Sequence, residues 1–168
     1  LEPEPGARAA ELIRAGRFED AVIAWREVAH GFAEQGKRPE QVSALVRVAE
    51  AQQALGRYAD SLQTLWEAQA LAGDGVGAAE LAAIQGSIGN AYVALGPPSK
   101  AREHLTKALE LAKGAEAQPL AAALLTNLGN LDASKEDYAQ AATEYAEAAA
   151  LATKVGDPAL AARVLRAA

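Results

Sequence analysis

Apolar residues recur three and four positions apart over residues 78–95, at Leu81, Ile84, Ile88 and Tyr92. That is the spacing of one helix face. It predicts a helix over about 78–95, ended by a turn at Gly96. A second stretch, about 99–113, carries Ala101, Leu105, Ala108 and Leu111 on the same period. It predicts a second helix, with Gly114 as the residue just past its end. Pro119 suits the first turn of the helix after that. Near the end of the chain Gly156 stops one helix, and Asp157 and Pro158 open another as N-cap and first helical residue.

The pattern repeats every forty residues. Phe18, Tyr58 and Tyr138 share one phase, with Pro98 in the remaining slot. Gly16, Gly56 and Gly96 share a second, with Glu136 fourth. Ala21, Ser61, Ala101 and Ala141 form a third phase, and Trp25, Leu65, Leu105 and Tyr145 a fourth. Val28, Ala68, Ala108 and Ala148 follow, and Gly89-Asn90 returns as Gly129-Asn130. Each period holds two helical patterns. The expected organisation is one array over 1–168, with helix pairs at about 6–36, 38–75, 77–115 and 117–156 and a ninth helix over 157–168. Residues 1–5 are expected to be a frayed lead. The ninth helix matches the first half of a fifth repeat through Leu160, Val164 and Leu165.

Two glycines inside the helix over 78–95 need a reason, since each costs roughly 1 kcal/mol against Ala. Gly89 is locked to the period and is expected to let the two helices of one repeat approach closely. Gly86 is not, because its slot holds Val46 and Thr126 in the neighbouring repeats.

"IGNAYVALG" followed by "AREHLTKAL" resembles the tetratricopeptide repeat (TPR) superfamily. Ile88, Gly89 and Tyr92 are similar to the small-and-large set of the first TPR helix. Ala101, Leu105 and Ala108 are similar to that of the second. Leu128, Gly129, Ala141, Tyr145 and Ala148 match in the fourth repeat, and Val48, Ala49, Ser61, Leu65 and Ala68 in the second. The first repeat matches through Ala21, Trp25 and Val28, with a weak first helix. The usual repeat is 34 residues; the forty here resemble the longer repeats of kinesin light chains. Asp132 and Gln52 depart from the pattern, standing where Tyr92 stands in its own repeat. The resemblance implies an all-α, right-handed α-solenoid of antiparallel helix pairs. A narrower resemblance, through "AGRFEDAVIAWREV", "LAAALLTNLGN" and "GDPALAARVLRAA", is to arrays preceding bacterial CHAT (caspase-like) protease domains.

In TPR arrays the first helices line a concave groove, and solenoids bind partners on such surfaces. Carried onto this sequence, the second repeat offers Ser43, Val46, Arg47, Glu50 and Gln53. The third offers Ala83, Gly86, Asn90 and Val93, with Gly86, Ala83 and Ala123 leaving room for a chain. The fourth offers Ala123, Thr126, Asn130 and Ala133, with Asn127 at the edge. The ninth helix offers Arg163 and Arg166. An Asn side chain holds both a donor and an acceptor, so Asn90 and Asn130 can form a ladder along an extended peptide. Alternatively, both bond within the array.

Composition narrows the functions. About half of the 168 residues are hydrophobic, only eight are aromatic, and Ala is commonest. Six aromatics (Phe18, Trp25, Tyr58, Tyr92, Tyr138 and Tyr145) occupy period positions and read as core. Phe32 reads as packed and Trp66 as partly exposed. The net charge is −6, with no basic cluster, which argues against nucleic acid and anionic membranes. No apolar run approaches the ~18 residues of a membrane span. Cys and Met are absent. With Leu1 first, the chain reads as a fragment or processed product, of bacterial type by the CHAT resemblance, and its compartment is left open. "GDGVG" (73–77) follows a helix rather than a strand and reads as an inter-repeat turn, not a phosphate loop. His30 and His104 lie in different phases and carry no metal-ligand spacing. Glu144 with Glu147, and Glu103 with Glu110, read as solvated helix faces. No nucleophile stands beside a base. These features predict a non-catalytic protein- or peptide-binding scaffold without cofactor. The alternatives are a self-associating structural module or the regulatory array of a CHAT-type protease.

Overall fold

The computed structural model describes residues 4–168, apart from the side chain of Leu160. The expected frayed lead falls partly outside them, at residues 1–3. The described residues form α1 (Ala7–Arg14), α2 (Phe18–Glu34), α3 (Arg38–Ala54), α4 (Tyr58–Ala72), α5 (Ala78–Leu95), α6 (Pro98–Gly114), α7 (Gln118–Ser134), α8 (Tyr138–Val155) and α9 (Pro158–Ala167). A short 3-10 turn, Gly73–Gly75, lies between α4 and α5. No strand occurs among the described residues, as expected of an all-α chain. The helices fall into two compact units, one up to Glu80 and one from Leu81 to Ala168.

The turns explain the period. Gly16, Gly56 and Gly96 have φ near +72°, and Glu136, fourth in that series, has φ +63°. A second series of turns behaves alike: Gly36, Glu116 and Gly156 have φ +67°, +54° and +70°. In five of these turns the amide after the left-handed residue reaches back to the same place. Arg17 N donates to Leu12 O, Lys37 N to Phe32 O, Arg57 N to Gln52 O, Ala117 N to Ala112 O and Asp137 N to Asp132 O, all at 2.8–3.0 Å. This is the six-to-one bond that closes a helix whose C′ residue is left-handed. Gly114 therefore does not stand just past the end of its helix; it is the last helical residue, and Glu116 takes the left-handed slot. Asp157 and Asp137 do cap, accepting from Ala159 N at 2.9 Å and Gln140 N at 3.2 Å.

In the first unit α3 is the buried element, with Val42, Ala44, Leu45, Val46, Val48, Ala49 and Ala51 inside. It packs between α2 and α4. Arg57 bridges back to Glu19 with two bonds, 2.6 and 3.2 Å. In the second unit α7 holds the same place between α6 and α8. Its Leu124 and Leu128 pack with Leu105 and Ala108, and its Leu125 packs with Ala148 and Ala152. Small residues dominate both cores because the helices run close. At Gly89 a Cβ would stand 2.7 Å from Leu105 Cγ and 3.1 Å from its backbone N. At Gly129 it would stand 2.7 Å from the Tyr145 ring. The close approach expected at Gly89 is thus present, and Gly129 repeats it.

The period does not bury every aromatic. Tyr138, the first residue of α8, is 66% exposed. Trp66 is exposed and Phe32 half-buried.

Candidate functional site

The polar residues expected to line a binding surface fall on first helices of both units. In the first unit they are on α3. Arg47 and Glu50 form an i, i+3 ion pair at 2.9 Å. Gln53 Nε2 donates to Ser61 Oγ of α4 at 2.9 Å, tying it to the second helix of its own repeat. Val46 is buried in the core and offers nothing to a partner. Ser43 and Arg47 border an open cavity of about 380 Å³ whose apolar wall is Trp25, Phe32, Ala44 and Val76.

In the second unit the residues lie on α5, α7 and α9. Asn127 Nδ2 donates to Asn90 Oδ1 at 2.9 Å, so a side chain of α7 reaches one of α5. Tyr145 Oη, from the middle of α8, donates to Asn130 Oδ1 at 2.6 Å. Both asparagines therefore bond within the array through their carbonyl oxygens. With each Oδ1 engaged, what each amide presents elsewhere is its Nδ2 donor. Asn130 is exposed, and Asn90 and Asn127 are half-buried. Nothing in the sequence pairs Asn90 with Asn127 or Asn130 with Tyr145. Tyr145 is the one hydroxyl-bearing residue in a slot otherwise held by Trp25, Leu65 and Leu105.

The remaining positions divide. Val93 is half exposed, and Thr126 turns its Oγ1 back to Ala122 O at 2.9 Å. Arg163 and Arg166 are exposed on α9, with Arg166 Nε 3.3 Å from Ala162 O. Gly86 is a correction. The room expected there for an approaching chain is occupied by Leu124, whose Cδ2 lies 2.8 Å from where a Cβ would sit. Its missing side chain lets α7 pack onto α5.

Glu103, Glu110 and Glu147 are exposed, as a solvated helix face requires. Glu144 does not lie on a solvated face; it is 7% exposed. Its slot, forty residues on, is that of Thr64 and His104, and the slot of Asp132 is that of Gln52 and Tyr92. In the second repeat these slots touch: Thr64 Oγ1 donates to Gln52 Oε1 at 2.9 Å. In the third they touch again: the Tyr92 and His104 rings stack at 5.5 Å and 11°. The fourth repeat fills both contact slots with carboxylates. Asp132, 2% exposed, pairs with Arg102 through Oδ1. Asp132 Oδ2 and Glu144 Oε2 are buried without a hydrogen-bond partner. Burial pushes the Glu144 carboxyl above the usual range, against weaker opposing effects of Gln140 and Arg102. His104 is held below the usual histidine value, chiefly by burial. Its Nδ1 donates to Gln85 Oε1 at 2.8 Å. Among the described residues no cluster of three His, Asp or Glu is arranged to hold a metal. No helix there is long and apolar enough to cross a membrane.

A sequence profile of the tetratricopeptide repeat matches residues 40–114 and again 80–154. No curated protein sequence is significantly similar. Solved structures share the fold at low identity. RapI in its apo form superposes with a TM-score of 0.79 at 18% identity, over 98% of this chain and 62% of that one. BtubC (BKLC) from P. vanneervenii gives 0.74 at 18%, over 95% and 69%. The nearly identical TPR-like repeats of a putative kinesin light chain from Podosopora anserina give 0.68 at 19%, over 99% and 89%.

Proposed function

The chain belongs to the tetratricopeptide repeat family, and we propose that it is a non-catalytic scaffold gripping a peptide segment of a protein partner through its first helices. In the second unit the gripping face is that of α5 and α7. The observation that carries this reading is the pair of anchored amides. Tyr145 holds Asn130 and Asn127 holds Asn90, each by the carbonyl oxygen. A fixed amide loses less rotamer freedom on binding, which favours affinity. Its Nδ2 suits a backbone carbonyl of an extended segment. Ala83, Ala123 and Val93 supply the apolar flank. Gly86 is left out of the face, since Leu124 covers it.

The test starts with a partner captured on the purified array. Asn90→Ala with Asn130→Ala is expected to weaken that partner by roughly tenfold or more, about 1.4 kcal/mol. The melting temperature should fall by only several degrees, since each of the two bonds lost is worth about 1 kcal/mol. Unchanged affinity sinks the amide ladder. A collapsed melt with affinity preserved in the folded fraction would make the asparagines structural instead.

A further inference from the structure

The fourth repeat closes on two carboxylates where its neighbours close on neutral pairs. The slots of Asp132 and Glu144 hold Gln52 with Thr64, joined by a hydrogen bond, and Tyr92 with His104, stacked ring on ring. Asp132 and Glu144 are 2% and 7% exposed, so water solvates little of either. One oxygen of each has a partner. Asp132 Oδ1 pairs with Arg102 of α6, and Glu144 Oε1 accepts from Gln140 Nε2 at 3.4 Å. The other two, Asp132 Oδ2 and Glu144 Oε2, are buried without a donor. Two buried carboxylates beside one guanidinium leave a negative charge uncompensated, which is costly. The other charged groups around them do not supply a second cation. Asp137 at the start of α8 and Glu147 one turn on are acidic, and both act against the anion of Glu144. Lys113 of α6 is engaged by Glu147 at 2.6 Å, and Arg163 and Arg166 of α9 are exposed. A single proton satisfies both orphan oxygens at once.

We infer that Asp132 and Glu144 share one proton, and that this proton locks α8 onto α7 and holds Asn130 in place. Glu144 Oε2 carries it and donates to Asp132 Oδ2. Asp132, with Arg102 on its other oxygen, stays ionised, so the three side chains together are neutral. Burial raises the Glu144 carboxyl, the direction a retained proton requires. Loss of the proton to solvent leaves two anions in one buried contact, and they repel. That repulsion acts between α7 and α8, where Tyr145, next to Glu144 in the chain, holds Asn130 by its hydroxyl at 2.6 Å. Deprotonation therefore loosens α8 and frees the Asn130 amide. The folded state keeps a proton that the unfolded chain gives up. The lock is thus complete below the ordinary glutamate value and is lost as pH rises through the raised one. It stands whether or not a partner meets Asn130.

The experiment is an infrared pH titration of the whole chain. The parent, measured against Glu144→Gln, is expected to show a protonated-carboxyl band that persists above the ordinary glutamate value of about 4.3. Asp132→Asn, measured against the double variant, should lose the band at lower pH, because the asparagine amide can donate to Glu144 Oε2 and favours its anion. Nitrogen-edited NMR follows Asn130. Its side-chain amide signals should shift with the midpoint of the band in the parent and stay in place in Glu144→Gln, whose amide donates to Asp132 without titrating. Circular dichroism checks the fold of each variant, and Glu144→Gln keeps the shape of the protonated side chain. A parent with no band above the ordinary glutamate range overturns the proposal. So does a band that titrates alike in the parent and Asp132→Asn, or an Asn130 amide that does not follow it.

Discussion

Gly89 and Gly86 lie one turn apart in α5, yet a methyl group at each meets different obstacles. At Gly89 it meets the Cγ and backbone N of Leu105; at Gly86 it meets only the far end of Leu124. A side-chain tip can rotate aside, and backbone cannot. Gly89→Ala is expected to destabilise by about 1–3 kcal/mol through overpacking, partly offset by helix propensity of roughly 1 kcal/mol. Gly86→Ala should cost less, because only the tip of Leu124 has to shift for α7 to stay on α5, so the urea midpoints of the two variants should separate. Glu144 makes a prediction of opposite sign to most carboxylates. Its folded pKa is raised, so the folded state holds its proton longer than the unfolded chain. Stability from this group is lost as pH rises from the ordinary glutamate range through the raised value. Glu144→Gln should remove that loss, and its advantage over the parent in urea melts should grow with pH. A constant difference across pH would refute the assignment. Of the candidate site, the residue types were legible in the sequence. Their partners were not, because Tyr145 to Asn130 and Asn127 to Asn90 are bonds between helices. Glu144 looked solvated because its neighbours Glu147 and Thr143 are.

The turn between helices is a repeated element with one conformational demand. Five glycines meet it at φ near +70° in the inter-helix positions 16, 36, 56, 96 and 156, whereas Glu116 and Glu136 meet it with a side chain. A left-handed non-glycine residue costs roughly 1–2 kcal/mol. Glu136→Gly is therefore expected to raise stability by about 1 kcal/mol, and Gly56→Ala to lower it by a similar amount, read as opposite shifts of the thermal midpoint. Helix bounds were legible to within a few residues, because apolar spacing and turn residues agreed. The miss at Gly114 shows the limit. A glycine there suggests a stop, but the six-to-one bond from Ala117 N to Ala112 O places the left-handed residue at Glu116. The geometry of the repeat outranks local propensity.

Across the molecule, the main contacts run between helices that are neighbours in the chain, such as α2 with α3, α3 with α4, α6 with α7 and α7 with α8, and first helices also touch the next first helix, as α7 touches α9. Stability in such arrays is close to a sum over repeats and their interfaces. The period itself was fully legible, since it needs only one sequence compared with itself. What fills each contact was not, as Leu124 over Gly86 shows. The equivalence of the turns makes the chain divisible. Excising residues 97–136 joins Gly96 to Asp137, a left-handed residue to the residue that follows one at Glu136. Gly89 then meets Tyr145 as Gly129 does, and Gly86 meets Val164 in place of Leu124. The shortened chain is expected to keep its helicity per residue and melt cooperatively, at lower temperature. Excising one residue more or fewer should leave a chain with weak, non-cooperative melting by circular dichroism. Forty residues is thus a quantum of length, by which a gene for this fold can shrink or grow without redesign.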